Sequence, residues 1–180
     1  GIIKPGVPVV FNVDDEAAAG AIGRIADERG SEKHDVHAAS CQIREKTLDG
    51  YTFDTEIEGA EYSGLSISML GSHQIGNAIC ALAALEVLKQ ENLVKLDKEK
   101  LYSGFRKAKQ TGRFEILRKE PWVVIDGAHN EAGVESLRAA LKEHFSDSRI
   151  LMVVGMLADK KIDALLEKFE WITDVFIATE

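Results

Sequence analysis

The sequence predicts an α/β protein in two domains, and three observations carry that expectation. Short apolar stretches run into turn residues and then into stretches of helical period, as at residues 9–13 before Asp14 and residues 122–125 before Asp126. Between them lies a block rich in Thr, Ile and Tyr, punctuated by glycine, which reads as antiparallel strands. Beyond Gly112, strand and helix patterns alternate strictly, which implies a mainly parallel sheet with right-handed crossovers.

Lys4-Pro5-Gly6-Val7-Pro8 is a rigid turn feeding the first strand at residues 9–13. Asp14 or Asp15 then caps a helix that reaches about Glu28, and Gly30-Ser31 ends it. Residues 36–43, 52–57 and 65–69 are β-type segments separated by Leu48-Asp49-Gly50 and by Gly59, a hairpin or meander. Residues 71–88 form a buried helix with Ser72 as its cap. Asp97 caps a charged amphipathic helix through Lys109, with Leu101 and Phe105 on one face.

Gln110-Thr111-Gly112-Arg113 breaks that pattern and sets the domain boundary, giving residues 1–112 and 113–180. Strands at residues 114–118 and 122–126 follow, joined at Glu120-Pro121. A helix over 131–145 carries Val134, Leu137, Leu141 and Phe145 on its apolar face. A strand at 150–154, a helix at 159–169 and a strand at 174–178 complete the chain. Its start at Gly1 without Met and its end on an apolar strand-like stretch lead us to expect a piece of a longer protein.

With 180 residues the chain can bury a real core. A net charge of −8 argues against a general nucleic-acid surface, which needs a basic stripe. No apolar run approaches the roughly 18 to 20 residues of a membrane span, so no membrane partner is expected. Cys41 and Cys80 lack metal-knuckle spacing and fall in apolar surroundings that would keep them inert, which fits a reducing, cytoplasmic setting.

Chemistry concentrates at Asp126-Gly127-Ala128-His129-Asn130, where a strand tip meets the N-terminus of the next helix, the place where open α/β sheets bind ligands. Gly127 lets the backbone turn or approach a ligand closely, and His129 or Asn130 can cap the helix. Arg113, beside the boundary glycine, offers a fixed guanidinium fork for phosphate, or an ion pair with Glu115 or Glu120. His73 and Asn77 are i,i+4 neighbours at the start of the apolar helix, with Gln74 between them. Gly71 and Gly76 give a G-x-x-x-x-G skeleton, but Asn77-Ala78 stands where a P-loop needs Lys and Ser or Thr, so no phosphate cradle is expected there. His34 and His37 flank Asp35 in a way that invites a metal, yet no third ligand is evident and none is assigned.

Gly71-Ser72-His73-Gln74-Ile75-Gly76-Asn77-Ala78, then Gly112-Arg113-Phe114-Glu115, then Val124-Ile125-Asp126-Gly127-Ala128-His129-Asn130 resemble, in order, motifs of the folylpolyglutamate synthase and dihydrofolate synthase family within the Mur ligase superfamily. Gly1-Ile2-Ile3-Lys4-Pro5-Gly6 also resembles the family's segment just after its carbamylated lysine. The resemblance covers essentially the whole chain. It implies the end of a Mur-ligase-like central ATP-binding domain at 1–112 and an incomplete Rossmann-like ligase domain at 113–180. The implied reaction is ATP-dependent addition of L-glutamate to a folate or dihydropteroate through an acyl phosphate, in an intact parent expected to be monomeric. Carried over by motif, Asn77 contacts adenine with His73 and Gln74 nearby, Arg113 the phosphates and Asp126 the ribose or nucleotide. His129 faces the phosphate and acyl end as the catalytic candidate. The P-loop and the ligands for Mg2+ would lie before Gly1, which leaves this polypeptide alone without turnover. Another Mur-type amide ligase, or a stand-alone nucleotide-binding module, is the competing reading.

Overall fold

The computed structural model describes residues 1–155, 167–169 and 172–179. They fall into two compact units. The first comprises residues 1–46, 50–68 and 74–108, and the second residues 47–49, 69–73 and 109–180.

In the first unit, β1 (Val9–Phe11), α1 (Glu16–Glu28) and β2 (Lys33–Asp35) form a βαβ turn of the chain, with β1 and β2 parallel and Val10 opposite His34. Asp15 caps α1 as expected, its carboxylate accepting the Ala18 N–H at 2.7 Å. Gly30, at φ +60°, turns the chain out of the helix in the left-handed region that a side chain would resist. The strand expected over 36–43 is corrected on two counts. Lys33-His34-Asp35 is polar and carries no strand signal, but β1 imposes extended pairing on it. The next residues turn instead, with Asp35 accepting the His37 N–H at 3.0 Å and Val36 the Ala39 N–H at 3.1 Å.

β3 (Cys41–Thr47), β4 (Gly50–Ile57) and β5 (Ala60–Ile67) are the expected meander, in that spatial order. Glu58 and Gly59 both adopt positive φ between β4 and β5, the two-residue turn whose twist suits antiparallel neighbours. Tyr51, Phe53, Thr55 and Ile57 alternate inward along β4, and Leu65 and Ile67 continue that face on β5. α2 (His73–Gln90) buries Ile75, Ala78, Ile79, Leu82, Ala83 and Val87, a broad apolar stripe with Leu82 fully enclosed. α3 (Lys98–Lys107) starts at its Asp97 cap, which accepts the Lys100 N–H at 2.9 Å, buries Leu101, and packs on β5, where the Tyr102 hydroxyl donates to the Ser63 carbonyl.

One buried polar network ties β5 to α2. The Tyr62 hydroxyl donates to Glu86, whose other carboxylate oxygen accepts from Lys89 Nζ at 2.9 Å. Burial, reinforced by the Glu86 hydrogen bond and charge, pushes the Tyr62 phenol well above its ordinary value near 10. The folded state therefore retains a proton that the unfolded chain releases first. The resulting stability is complete below about pH 10 and is lost as pH rises beyond it. We expect alkaline unfolding of Tyr62→Phe, followed by circular dichroism, to show a shallower fall above pH 10 than the parent chain; an unchanged slope would remove Tyr62 as its source.

In the second unit, β6 (Glu115–Lys119) and β7 (Trp122–Ile125) are an antiparallel hairpin turning at Glu120-Pro121. So short a connection permits only antiparallel neighbours. α4 (Glu131–Phe145) follows, capped by Asn130, and β8 (Leu151–Gly155) pairs in parallel with β9 (Val175–Thr179). The helix expected over 159–169 lies outside the described residues except for a single 3-10 turn at Glu167–Phe169. Fully buried Val134 packs with Ala128, Leu137, Met152 and Ile172, and Phe114, Trp122 and Phe145 form an aromatic cluster beside it. Mixed parallel and antiparallel pairing with interleaved helices gives the α/β class expected from the sequence.

Candidate functional site

Asp126 follows the last residue of β7 and holds the loop there. One carboxylate oxygen accepts the Ala128 N–H at 2.7 Å, the other the Phe114 N–H at 2.7 Å, so a single side chain ties the start of β6 to the turn before α4. Two further bonds close the same seam. The Gly127 N–H donates to the Gly112 carbonyl at 2.7 Å, and the Gly112 N–H donates to Glu115 Oε2 at 2.8 Å. Gly112 and Phe114 both sit at positive φ, +71° and +44°. For Phe114 that conformation is strained by about 1 kcal/mol or more, and it persists because its ring is buried against Phe145 while its N–H is held by Asp126. The residues flanking Arg113 are thereby fixed.

The Arg113 side chain itself is exposed, and among the described residues it has no hydrogen-bond or ion-pair partner. The competing ion pair with Glu115 does not form, because Glu115 is taken by the Gly112 backbone. A guanidinium held on a rigid seam and left uncommitted can receive an anion. His129 is exposed, and its Nδ1 lies 2.8 Å from the Gly127 carbonyl. A carbonyl only accepts, so Nδ1 carries the proton and Nε2 is left as an acceptor in the neutral ring. Asn130, rather than His129, caps α4, accepting the Gly133 N–H at 2.8 Å.

His73 belongs to this same unit. Partial desolvation holds its pKa below the usual histidine value; the Asp126 carboxylate pulls it upward and the Arg113 guanidinium presses it further down. Both charges therefore act on this imidazole. Because the folded state favours the neutral ring, the associated stability is complete above the ordinary pKa near 6.5 and falls as pH drops through the lowered folded value. We expect an NMR titration to place the His73 midpoint below 6.5 and Arg113→Ala to raise it; an unmoved midpoint would show that the guanidinium does not act on this ring.

Gln74 and Asn77 belong to the first unit. Asn77 donates to buried Gln74 Oε1 at 3.1 Å, which fixes the exposed amide of Asn77 and leaves its carbonyl oxygen open. The two glycines of the G-x-x-x-x-G skeleton make room for side chains. A Cβ on Gly71 would meet the His73 ring at 2.6 Å, and one on Gly76 would meet the Asn12 amide at 2.8 Å. Sequence reading missed the parts played by Phe114 and Asn12, which depend on partners distant in sequence, and it gave Glu115 to Arg113 rather than to the Gly112 backbone.

Other candidates resolve as structural. His34 is buried with Nδ1 2.8 Å from Glu58, and His37 lies 3.2 Å from Asp14, so the two histidines serve different carboxylates. Among the described residues no cluster of three or more His, Cys, Asp or Glu is arranged to hold a metal ion. Cys41 is exposed, contrary to the apolar setting expected from sequence, because β3 is a largely exposed edge of its sheet. Partial burial and the Asp54 charge still push its thiol up, away from the reactive thiolate. A cavity of about 420 Å³, lined by Trp122, Val124, Leu141 and Phe145 together with Asp126 and Arg149, lies within the second unit. Among the described residues no helix is long and apolar enough to cross a membrane.

The family model described as Mur ligase, glutamate ligase domain matches residues 112–180. The chain is 36% identical over 173 residues to the dihydrofolate synthase/folylpolyglutamate synthase of Bacillus subtilis, covering 96% of this chain and 40% of that protein. The folylpolyglutamate synthase structure from Thermotoga maritima superposes with a TM-score of 0.83 at 32% identity, over 99% of this chain and 42% of the other. An FPGS complex with AMPPCP and folate gives 0.89 at 26% identity, over 100% and 44%. The chain thus spans about two fifths of the length of the relatives it matches.

Proposed function

Because the chain belongs to the folylpolyglutamate synthase and dihydrofolate synthase family of Mur ligases, we propose that it forms the nucleotide side of an ATP-dependent ligase joining L-glutamate to a folate or dihydropteroate. The observation that carries this reading is the hydrogen-bonded seam at residues 112–128 that presents an Arg113 with no partner among the described residues, its charge felt with that of Asp126 at His73. On this reading residues 1–112 are the end of the central ATP-binding domain and 113–180 the Rossmann-like ligase domain.

The chemistry requires two steps. The substrate carboxylate attacks the γ-phosphorus of ATP, giving an acyl phosphate and ADP. The glutamate amine then attacks the acyl carbon, phosphate leaves, and the amine proton passes to a base or solvent. Charge on the transferring phosphoryl group must be met by positioned cations and N–H donors. Arg113 supplies the cation. The Asn77 amide, held by Gln74, offers a donor and an acceptor that suit the edge of adenine. Asp126 primarily fixes the loop, while each of its oxygens retains a lone pair for a ribose hydroxyl. His129, with Nδ1 committed, offers Nε2 toward the phosphate and acyl end as the catalytic candidate. Mg2+ accompanies ATP in such transfers, but the described residues do not build a site for it, and no step is assigned through it.

The test is a chimera in which this chain replaces the matching two fifths of the Bacillus subtilis enzyme. We expect ADP release that depends on both glutamate and a folate or dihydropteroate. Release driven only by a cell-wall peptide precursor, or none in a folded chimera, would overturn the folate assignment.

A further inference from the structure

Gly76 stands inside α2, where a glycine loses more conformational freedom than any other residue and contributes no side-chain packing. Its surroundings account for it. A Cβ at this position would meet the Asn12 amide nitrogen at 2.8 Å, and among the described residues Asn12 supplies the only atoms within 4 Å beyond the helix's own backbone and the chain neighbours. The first turns of α2 are thus left bare for one side chain. Asn12 directly follows Phe11, the last residue of β1, at the carboxyl end of the parallel β1–β2 pair, where open α/β sheets receive ligands. It is exposed, and among the described residues its amide has no hydrogen-bond partner. Asp15, not Asn12, caps the helix that follows β1. Asn77, next to Gly76 on α2, donates to buried Gln74 and keeps its own oxygen open. Asn12, Gln74, Gly76 and Asn77 all belong to the first unit.

We propose that Asn12 is a second base-reading residue for the nucleotide, acting with Asn77, and that Gly76 is kept bare to admit its amide. The proposal rests on the reading of Asn77 as the contact to adenine. Matched donors and acceptors carry the selectivity. With one Asn77 N–H committed to Gln74, the Asn77 oxygen is the acceptor left fully open, and the exocyclic amino group of adenine can donate to it. The Asn12 nitrogen then supplies a donor for the ring nitrogen beside that amino group. Adenine presents this pair of a donor and an acceptor, whereas a 6-oxo purine places an acceptor where adenine has its amino group. Two acceptors would then face each other, and the Asn77 oxygen would be left unpaired against the base. Contacts from two separate elements, the tip of β1 and the first turns of α2, also fix the rotation of the base in its plane, which one amide leaves free.

The first arm of the experiment follows the side-chain amide resonances of Asn12 and Asn77 in the 180-residue chain by NMR during titration with adenosine, with inosine as the 6-oxo control. Neither phosphate nor turnover is involved. We expect both amides to shift with adenosine and much less with inosine. Movement of Asn77 alone would sink the role of Asn12 and leave the adenine reading standing, whereas movement of neither would remove both. The second arm compares ATP with ITP in the chimera. Asn12→Ala and Gly76→Ala should each lower the preference for ATP in kcat/KM about tenfold, through KM rather than kcat, because a contact to the base is made alike in the ground and transition states. Gly76→Ala should resist urea at least as well as the parent, since alanine favours the helix and only the end of the Asn12 side chain has to move. Full preference for ATP in either variant would overturn the proposal. A chimera inactive with every folate or dihydropteroate counts against the folate reading alone, and the nucleoside titration still decides the role of Asn12.

Discussion

Arg113→Ala is expected to reduce turnover of the chimeric ligase about 10²-fold, the usual loss when one preorganised electrostatic contact to a transition state is removed. Folding should hardly change, because the guanidinium has no partner to lose among the described residues and exposed substitutions typically stay within about 0.5 kcal/mol. That separation makes the result interpretable. Arg113→Lys keeps the charge without the planar fork, so it should recover only part of the rate. The fall should appear in kcat as well as kcat/KM, since the developing charge is greatest in the transition state. Activity within twofold of the parent, with intact folding, would return Arg113 to an ordinary surface residue.

Asp126→Ala should have the larger effect on the fold. It removes the acceptor for two part-buried backbone donors, the N–H groups of Phe114 and Ala128. Hydrogen bonds to a charged group contribute about 1.5 to 3 kcal/mol each, and they share one side chain, so a combined loss of about 3 kcal/mol is expected. Asp126→Asn keeps the shape but turns one acceptor into a donor facing an N–H, and it should recover less than half of that. Urea denaturation measures the total. Hydrogen exchange localises it, with protection lost first at Phe114, Gly127 and Ala128. Unchanged protection of those amides in Asp126→Ala would show that the carboxylate does not hold the seam. Phe114 should then be the first residue to relax from its positive φ, since its strain is sustained by that bond and by burial.

Much of this protein is legible in the sequence because the signals are local. Asp15, Asp97 and Asn130 cap helices because a short polar side chain can reach an N–H three residues ahead whatever the rest of the molecule does. Gly59 marks a hairpin because glycine tolerates positive φ, and the tight turn carries Glu58 into that region with it. Alternation along β4 and the apolar stripes of α2 and α4 follow from the strand and helix periods. The motifs around Asn77, Arg113 and Asp126 likewise identify the family, since they are runs of neighbouring residues in a fixed order.

What the sequence could not determine depends on partners distant along the chain. Polar Lys33-His34-Asp35 is a strand only because β1 supplies a parallel edge 24 residues earlier. Cys41 is exposed because nothing packs over either face of β3, whose seven residues are all exposed. Asp126 reads as a ligand-facing carboxylate, yet its two oxygens are first occupied by Phe114 and Ala128, the former 12 residues upstream. Among the described residues Arg113 has no partner, since the neighbouring Glu115 is claimed by the Gly112 backbone. Local sequence determines which groups are available for hydrogen bonding and charge. Only tertiary structure decides which remain uncommitted, because each buried donor must find an acceptor, and that pairing is settled across the whole fold at once.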